Sequence, residues 1–317
     1  MARADFIATP GNSCPAGGKA VILKAGDGVC LRAAHWPPSG VPRAQAIGTV
    51  FLLNGRTEFI DKYFEAVQRL IERRYQVFAL DWRGQGLSDR LLPDPEKGHV
   101  GNFADYEGDL AAMLKWAVAE EAPRPFLVLA HSMGGHNALR FALSHDQAFD
   151  GLALCAPMLG VKLPGPRFPL QALVAVLSAI APKAYALGQG PMRPSDTQFA
   201  GNLLCSDPRR FAVLTDSLAA EPQLRLGGVT NRWLDQAFTS MRFIHDRLAQ
   251  FDRPMVIFSG LADRIVDSTS HRTATQIARQ ARLVAIAGAN HEILREADRY
   301  QDQLWQGFDD WRAALAG

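Results

Sequence analysis

Residues 125–143 (PFLVLAHSMGGHNALRFAL) place a short apolar run, a tight turn and a helical pattern in immediate succession. Residues 125–130 read as a buried strand, and 135–143 has helical apolar spacing without a breaker. A strand-to-helix turn this sharp holds its central residue in strained backbone angles, so the residues two before and two after it must be small. Ala130 and Gly134 meet that requirement around Ser132. Ser132 is therefore the first candidate nucleophile, and a surface Ser-Gly loop is the alternative reading.

The same alternation of strand and helix occurs before residue 156 and again after 253. It predicts an α/β fold with a mostly parallel central sheet and helices on both faces. Between these stretches the alternation stops. A Pro/Gly-rich link (APMLGVKLPGPRFP, 156–169) leads into helical segments broken by Pro191, Pro194, Pro208 and Pro222. The expected organisation is a core of residues 1–156, an inserted helical cap at 157–247 and a second part of the core at 248–317.

Nucleophilic catalysis by serine needs a base and an acid that orients it. Each is expected at the end of a later strand, the acid first in chain order. Residues 255–260 (MVIFSG) form a strand pattern followed closely by Asp263, and 282–287 (RLVAIA) form another followed by Gly288, Ala289, Asn290 and His291. Asp263 competes with Asp267, four residues on, and with a role as helix N-cap. His291 competes with histidines 35, 99, 131, 136, 145, 245 and 271, most of which read as surface or hydrogen-bonded structural residues. Only His291 falls between a C-terminal strand and a final helix. Its neighbour Glu292 reads as a cap or charge at that helix start.

Composition excludes several classes. A net charge of +2 gives no reason to expect nucleic acid, and 48% hydrophobic with 21% charged residues is ordinary globular usage. Cysteines 14, 30, 155 and 205 include no CxxC pair, which suggests free thiols, neither a zinc site nor a disulfide framework. The first residues (MARADFIATPGNSCPAGG) lack the apolar core of a signal peptide, so a cytoplasmic enzyme is expected. The longest apolar stretch, 168–181, contains Pro169 and falls short of the roughly 20 residues that span a bilayer.

With these motifs in place, the chain resembles the lysophospholipase and monoacylglycerol lipase branch of the α/β-hydrolases. The resemblance is carried by Asn54-Gly55-Arg56 after a strand, by 81–88 (DWRGQGLS) after the next, and by the serine, aspartate and histidine segments. A middle segment, 199–207 (FAGNLLCSD) with Arg209, Arg210 and Phe211, is similar to bacterial lysophospholipases and is the most specific match.

The resemblance implies an α/β-hydrolase fold and a Ser132–His291–Asp263 triad that cleaves single-chain lipid esters through an acyl-enzyme. It implies an oxyanion hole made by the backbone N–H groups of Met133 and Arg56, the latter following Asn54-Gly55 where the family has His-Gly. Gly84 and Gly86 read as turn glycines and Arg83 as a structural tie, with a direct substrate role for Arg83 as the alternative. Neither a metal nor an organic cofactor is expected. The expected partner is a lipid ester, with peripheral contact at a membrane surface and no obligatory protein partner. A carboxylesterase acting on soluble small-molecule esters or thioesters is the alternative.

Within the insertion, 170–180 (LQALVAVLSAI) is apolar nearly all round and reads first as a buried helix. The other reading is a lid helix whose Leu173 and Val176 line an acyl pocket. Arg193, Arg209, Arg210, Arg225 and Arg232 read first as solvated surface charges, and attraction of anionic head groups is the other reading.

Overall fold

The computed structural model describes residues 2–315 apart from 163, 164 and 166. Among the described residues, eight strands form one sheet in the order β1-β2-β4-β3-β5-β6-β7-β8. They are β1 (Lys19–Lys24), β2 (Cys30–Trp36), β3 (Thr49–Leu53), β4 (Gln76–Leu80), β5 (Phe126–His131), β6 (Gly151–Cys155), β7 (Met255–Gly260) and β8 (Ala281–Ile286). β2 runs antiparallel to both β1 and β4, and the pairings from β4 to β8 are parallel. β3 to β7 are buried throughout, as unbroken apolar runs in a sheet covered on both faces should be.

Helices α1 (Phe64–Glu72) and α8 (Asp298–Ala314) cover one face. α1 buries Phe64, Val67, Leu70 and Ile71, the 3–4 spacing of a single helical stripe, and Arg73, which caps its C-terminus, pairs with Asp309 of α8. Arg73 also lies over the Trp305 ring of α8, 4.7 Å from its centroid. On the opposite face are α2 (Asp105–Ala119), α3 (Met133–Ser144) and α7 (Ser268–Ile277). The mostly parallel sheet with helices on both faces is as the alternation predicted.

Between β6 and β7 the described elements are helical: α4 (Arg167–Ile180), α5 (Pro208–Ala220) and α6 (Asn231–Arg247), with short 3-10 turns between them and after α6. α5 begins where Asp207 accepts hydrogen bonds from the backbone of Arg209 and Arg210 and Pro208 presets the first turn. α6 starts on Thr230, which accepts from the Trp233 N–H.

Two readings of this region are corrected. α4 is not a buried helix: it packs on α6, with Val174 and Ser178 buried, while Phe168, Val176 and Ile180 are 86%, 57% and 73% exposed. An apolar face can remain uncovered, so composition alone did not decide its burial. Arg210 is not a solvated charge: it is buried against Asp207, Glu65 and Asp298, and it donates to the Glu296 carbonyl. The 199–211 segment is thereby clamped onto the core. Ser206 also bonds Glu296, and the Leu204 carbonyl accepts from the Glu292 N–H. No helix among the described residues is long and apolar enough to cross a membrane.

Candidate active site

Parallel strands end at a common edge of the sheet, where the loops after β3, β5, β7 and β8 meet. Ser132 is the single residue between β5 and α3, with φ 49° and ψ −115°, a strained conformation for a residue with a side chain. Gly134 explains why the turn closes. A Cβ there would fall 2.5 Å from both the Leu53 and Asn54 carbonyl oxygens, which lie at the end of β3. Ala130 fits within β5, fully buried, so the extra methyl at that position is accommodated.

The later segments converge on this serine. The His291 Nδ1 lies 2.7 Å from Asp263 Oδ2, and its Nε2 lies 3.1 Å from Ser132 Oγ. Because the carboxylate accepts, Nδ1 donates to it, which leaves Nε2 to accept from the serine hydroxyl. The other Asp263 oxygen accepts from the Ile265 and Val266 N–H groups. Burial pushes the Asp263 carboxyl up, but His291 and those two N–H groups outweigh it and hold the group below its ordinary value. Asp267, the rival carboxylate, caps α7 by accepting from the Thr269 N–H at 3.1 Å.

The loop after β3 lies directly against the turn. A Cβ on Gly55 would come within 3.1 Å of the Ser132 Cβ, so the next residue, Arg56, begins beside the serine. Met133 opens α3, where the first N–H groups have no partner within the helix. Asn54 is a tie: its Nδ2 donates to the Leu80 carbonyl, its own carbonyl accepts from Trp82 Nε1, and Gln85 Nε2 bonds the Gly55 and Glu58 carbonyls. Gly84 and Gly86 have positive φ, as turn glycines should. Arg83 pairs with Asp27 and Asp109, a structural tie.

Beneath these residues is a buried charged cluster that the sequence reading missed. Glu58 accepts from the Gly55 N–H at 2.5 Å, Tyr63 Oη at 2.6 Å, His131 Nδ1 at 2.8 Å and Lys62 Nζ at 3.0 Å. Lys62 also pairs with Glu292 at 2.5 Å; Glu292 stands at the N-cap of the turn Ile293–Arg295, but its side chain makes no capping bond there. His131 Nε2 lies 3.1 Å from the His291 carbonyl. Both partners of His131 are acceptors, so both ring nitrogens donate and the ring is an imidazolium. Burial pushes His131 down, but Glu58 overrides it and raises the group above its ordinary value. Burial likewise raises Glu58, yet Lys62 and His131 hold it well below the usual carboxylate range. One carboxylate thus joins the loop after β3, the turn and the His291 segment. The available signal was the Glu58/Lys62 spacing, which resembles any solvated i,i+4 pair.

Among the other histidines, His136 and His271 are buried and hydrogen-bonded, to the Met158 and Pro157 carbonyls among others, whereas His245 is exposed. A cavity of about 550 Å³ is walled by Arg56, Thr57, residues 188–194, Asp196, Leu204, Leu214, Leu226, Gly227 and Gly228. It borders residues 56 and 57 of the loop after β3 but is not lined by Ser132, Asp263 or His291, and four other cavities, of about 160 to 390 Å³, touch neither residues 54–57 nor those three. Leu173 and Val176 are on the exposed face of α4 and line none of these cavities.

A family model described as serine aminopeptidase, S33 matches residues 44–298. The chain is similar to lysophospholipase L2 of Escherichia coli K12, 33% identical over 259 residues that cover 78% of this chain and 75% of the relative. It is also similar to human monoglyceride lipase, 24% identical over 297 residues covering 92% and 90% of the two chains. Among solved structures, a soluble variant of Saccharomyces cerevisiae monoglyceride lipase in complex with a substrate analog aligns with a TM-score of 0.74 and 20% identity, covering 98% of this chain and 99% of that one.

Proposed function

The chain belongs to the serine aminopeptidase S33 family, in its lysophospholipase- and monoglyceride-lipase-like branch of the α/β-hydrolases, and from that premise we propose that it cleaves the carboxylic ester of single-chain lipids through an acyl-enzyme on Ser132. The observation that carries this reading is the hydrogen-bonded series Ser132–His291–Asp263 at the strained turn.

In this reading His291 Nε2 takes the hydroxyl proton as Ser132 Oγ attacks the ester carbonyl, and the imidazolium that forms is stabilised by Asp263. The tetrahedral oxyanion is held by the backbone N–H groups of Met133 and Arg56. His291 then gives its proton to the departing alcohol, and a water molecule activated by the same imidazole releases the fatty acid. The alcohol half extends toward the 550 Å³ cavity beside Arg56, whose remaining walls, Thr57 aside, come from the insertion, residues 157–247, which acts as the cap. Leu173 and Val176 would meet the acyl chain or the lipid surface from the exposed apolar face of α4.

Two relatives named for lysophospholipids and monoglycerides support a single acyl chain as the substrate feature. The test is a hydrolysis panel of lysophosphatidylcholine, monoacylglycerol and triacylglycerol beside p-nitrophenyl esters from acetate to palmitate. Preference for the first two supports the proposal. Activity confined to acetate-sized esters moves the protein to the soluble esterase alternative.

A further inference from the structure

The reaction above uses only the backbone of Arg56, a half-buried residue whose side chain has fewer protein partners than the enclosed arginines of the core. Buried charges are normally paired. Arg32 pairs with Asp61 and Asp81, Arg83 with Asp27 and Asp109, and Arg210 with Glu65, Asp207 and Asp298. Arg295 lacks a carboxylate, but its two terminal nitrogens are taken by the Lys62 and Arg210 carbonyls. Arg56 has no ion pair among the described residues, and its side chain makes one hydrogen bond, Nη1 to the Gly227 carbonyl at 2.7 Å. Burial, without a carboxylate to offset it, pulls its guanidinium down to about 10, so it is still a cation at neutral pH.

This unpaired cation belongs to the wall of the 550 Å³ cavity, together with Gly227 and Gly228. The other charged residues there, Arg193 and Asp196, face each other at 3.5 Å and are more exposed, so they leave Arg56 uncompensated. Distance fits the substrate as well. An arginine side chain reaches roughly 6–7 Å from its Cα, and in a 1-acyl lysophospholipid the ester carbonyl carbon and the phosphorus are roughly 7 Å apart when extended. A residue whose N–H holds the oxyanion can therefore place its guanidinium at the phosphate, with the fork geometry that suits two phosphate oxygens.

We propose that the Arg56 guanidinium is the subsite for a phosphate in the alcohol half of the substrate, so that this enzyme prefers lysophospholipids to the neutral glyceride with the same acyl chain. The assignment rests on the reading of the site as a single-chain lipid hydrolase.

The experiment compares kcat/KM for 1-oleoyl-lysophosphatidylglycerol and 1-oleoylglycerol, in wild type, Arg56→Lys and Arg56→Gln. The wild type should favour the phosphate-bearing lipid. Arg56→Gln should lower the ratio of the two values about 10–100-fold, the range expected for a lost charge-assisted contact, and Arg56→Lys should fall between. Inhibition of p-nitrophenyl butyrate hydrolysis separates the sources of the anion: sn-glycerol 3-phosphate should compete better than inorganic phosphate. Equal competition by inorganic phosphate would make this a bare phosphate site and overturn the head-group assignment. A wild type that favours the neutral glyceride, or an Arg56→Gln variant that loses both activities equally, overturns the subsite alone. A wild type that hydrolyses neither lipid overturns the function on which it rests.

Discussion

Glu58→Gln tests whether the buried cluster beneath the serine is what holds the site in shape. The carboxylate accepts four hydrogen bonds, two of them from the cations Lys62 and His131. A glutamine side chain offers one acceptor oxygen and an NH2 group. If its oxygen takes the place of Oε2 and keeps the Gly55 N–H, Tyr63 and His131, the amide donor is left facing Lys62. Lys62 retains Glu292, but His131 loses its only ion-pair partner among the described residues. Removing one member of a buried pair costs about 3–5 kcal/mol, a large part of the roughly 5–15 kcal/mol that keeps a domain folded. Urea unfolding followed by tryptophan fluorescence reads that loss. In the molecules that remain folded, the Gly55-Arg56 loop and the His291 carbonyl lose their common anchor, so kcat on p-nitrophenyl butyrate should fall by about 10², as on loss of one oxyanion donor, with KM changing less. Glu58→Ala should be worse on both measures. A Glu58→Gln protein within 0.5 kcal/mol or so of wild type, the scale of an ordinary surface substitution, and with unchanged kcat, would refute the reasoning.

Asp263→Asn should lower kcat by about 10⁴ through loss of tautomer control, whereas Asp267→Asn keeps a competent cap and should cost far less; the opposite order in kcat would show that the wrong carboxylate was chosen. His131 is raised above its ordinary value, so its contribution to stability is complete below about pH 6.5 and is lost as pH rises through its folded value. The unfolding free-energy gap between wild type and His131→Asn should accordingly narrow from pH 6 to pH 9, and a constant or widening gap contradicts the imidazolium. Each buried methylene adds about 0.8 kcal/mol, so kcat/KM should climb up to fourfold per carbon, with EDTA present, until the pocket is full. Leu173→Asp or Val176→Asp should reduce long-chain hydrolysis more than acetate hydrolysis; equal losses would indicate damaged packing.

What could be read from the chain was local or strictly ordered. The turn at Ser132 was legible because an apolar strand, two small residues and a helical pattern are contiguous, and the strand ends at β7 and β8 pointed to Asp263 and His291 in turn. The boundaries moved slightly: β5 extends through His131, and α3 starts at Met133, because Ser132 alone makes the turn. What stayed hidden depends on distant partners. Arg210 is paired with Glu65, 145 residues away, and Lys62 with Glu292, 230 residues away, so each looked like an ordinary surface charge. The exposed apolar face of α4 was equally illegible, since apolar content reports what a helix could bury and not whether anything covers it.

The most direct test of the account is Ser132→Ala, assayed by fluorophosphonate labelling and by turnover of 1-oleoyl-lysophosphatidylglycerol, with circular dichroism to show that the fold is kept. The account predicts no labelling and a loss of about 10⁶ in kcat, the scale of nucleophile removal in a comparable triad, with an unchanged spectrum. A folded Ser132→Ala protein that still labels, or still turns over the lipid, would contradict it.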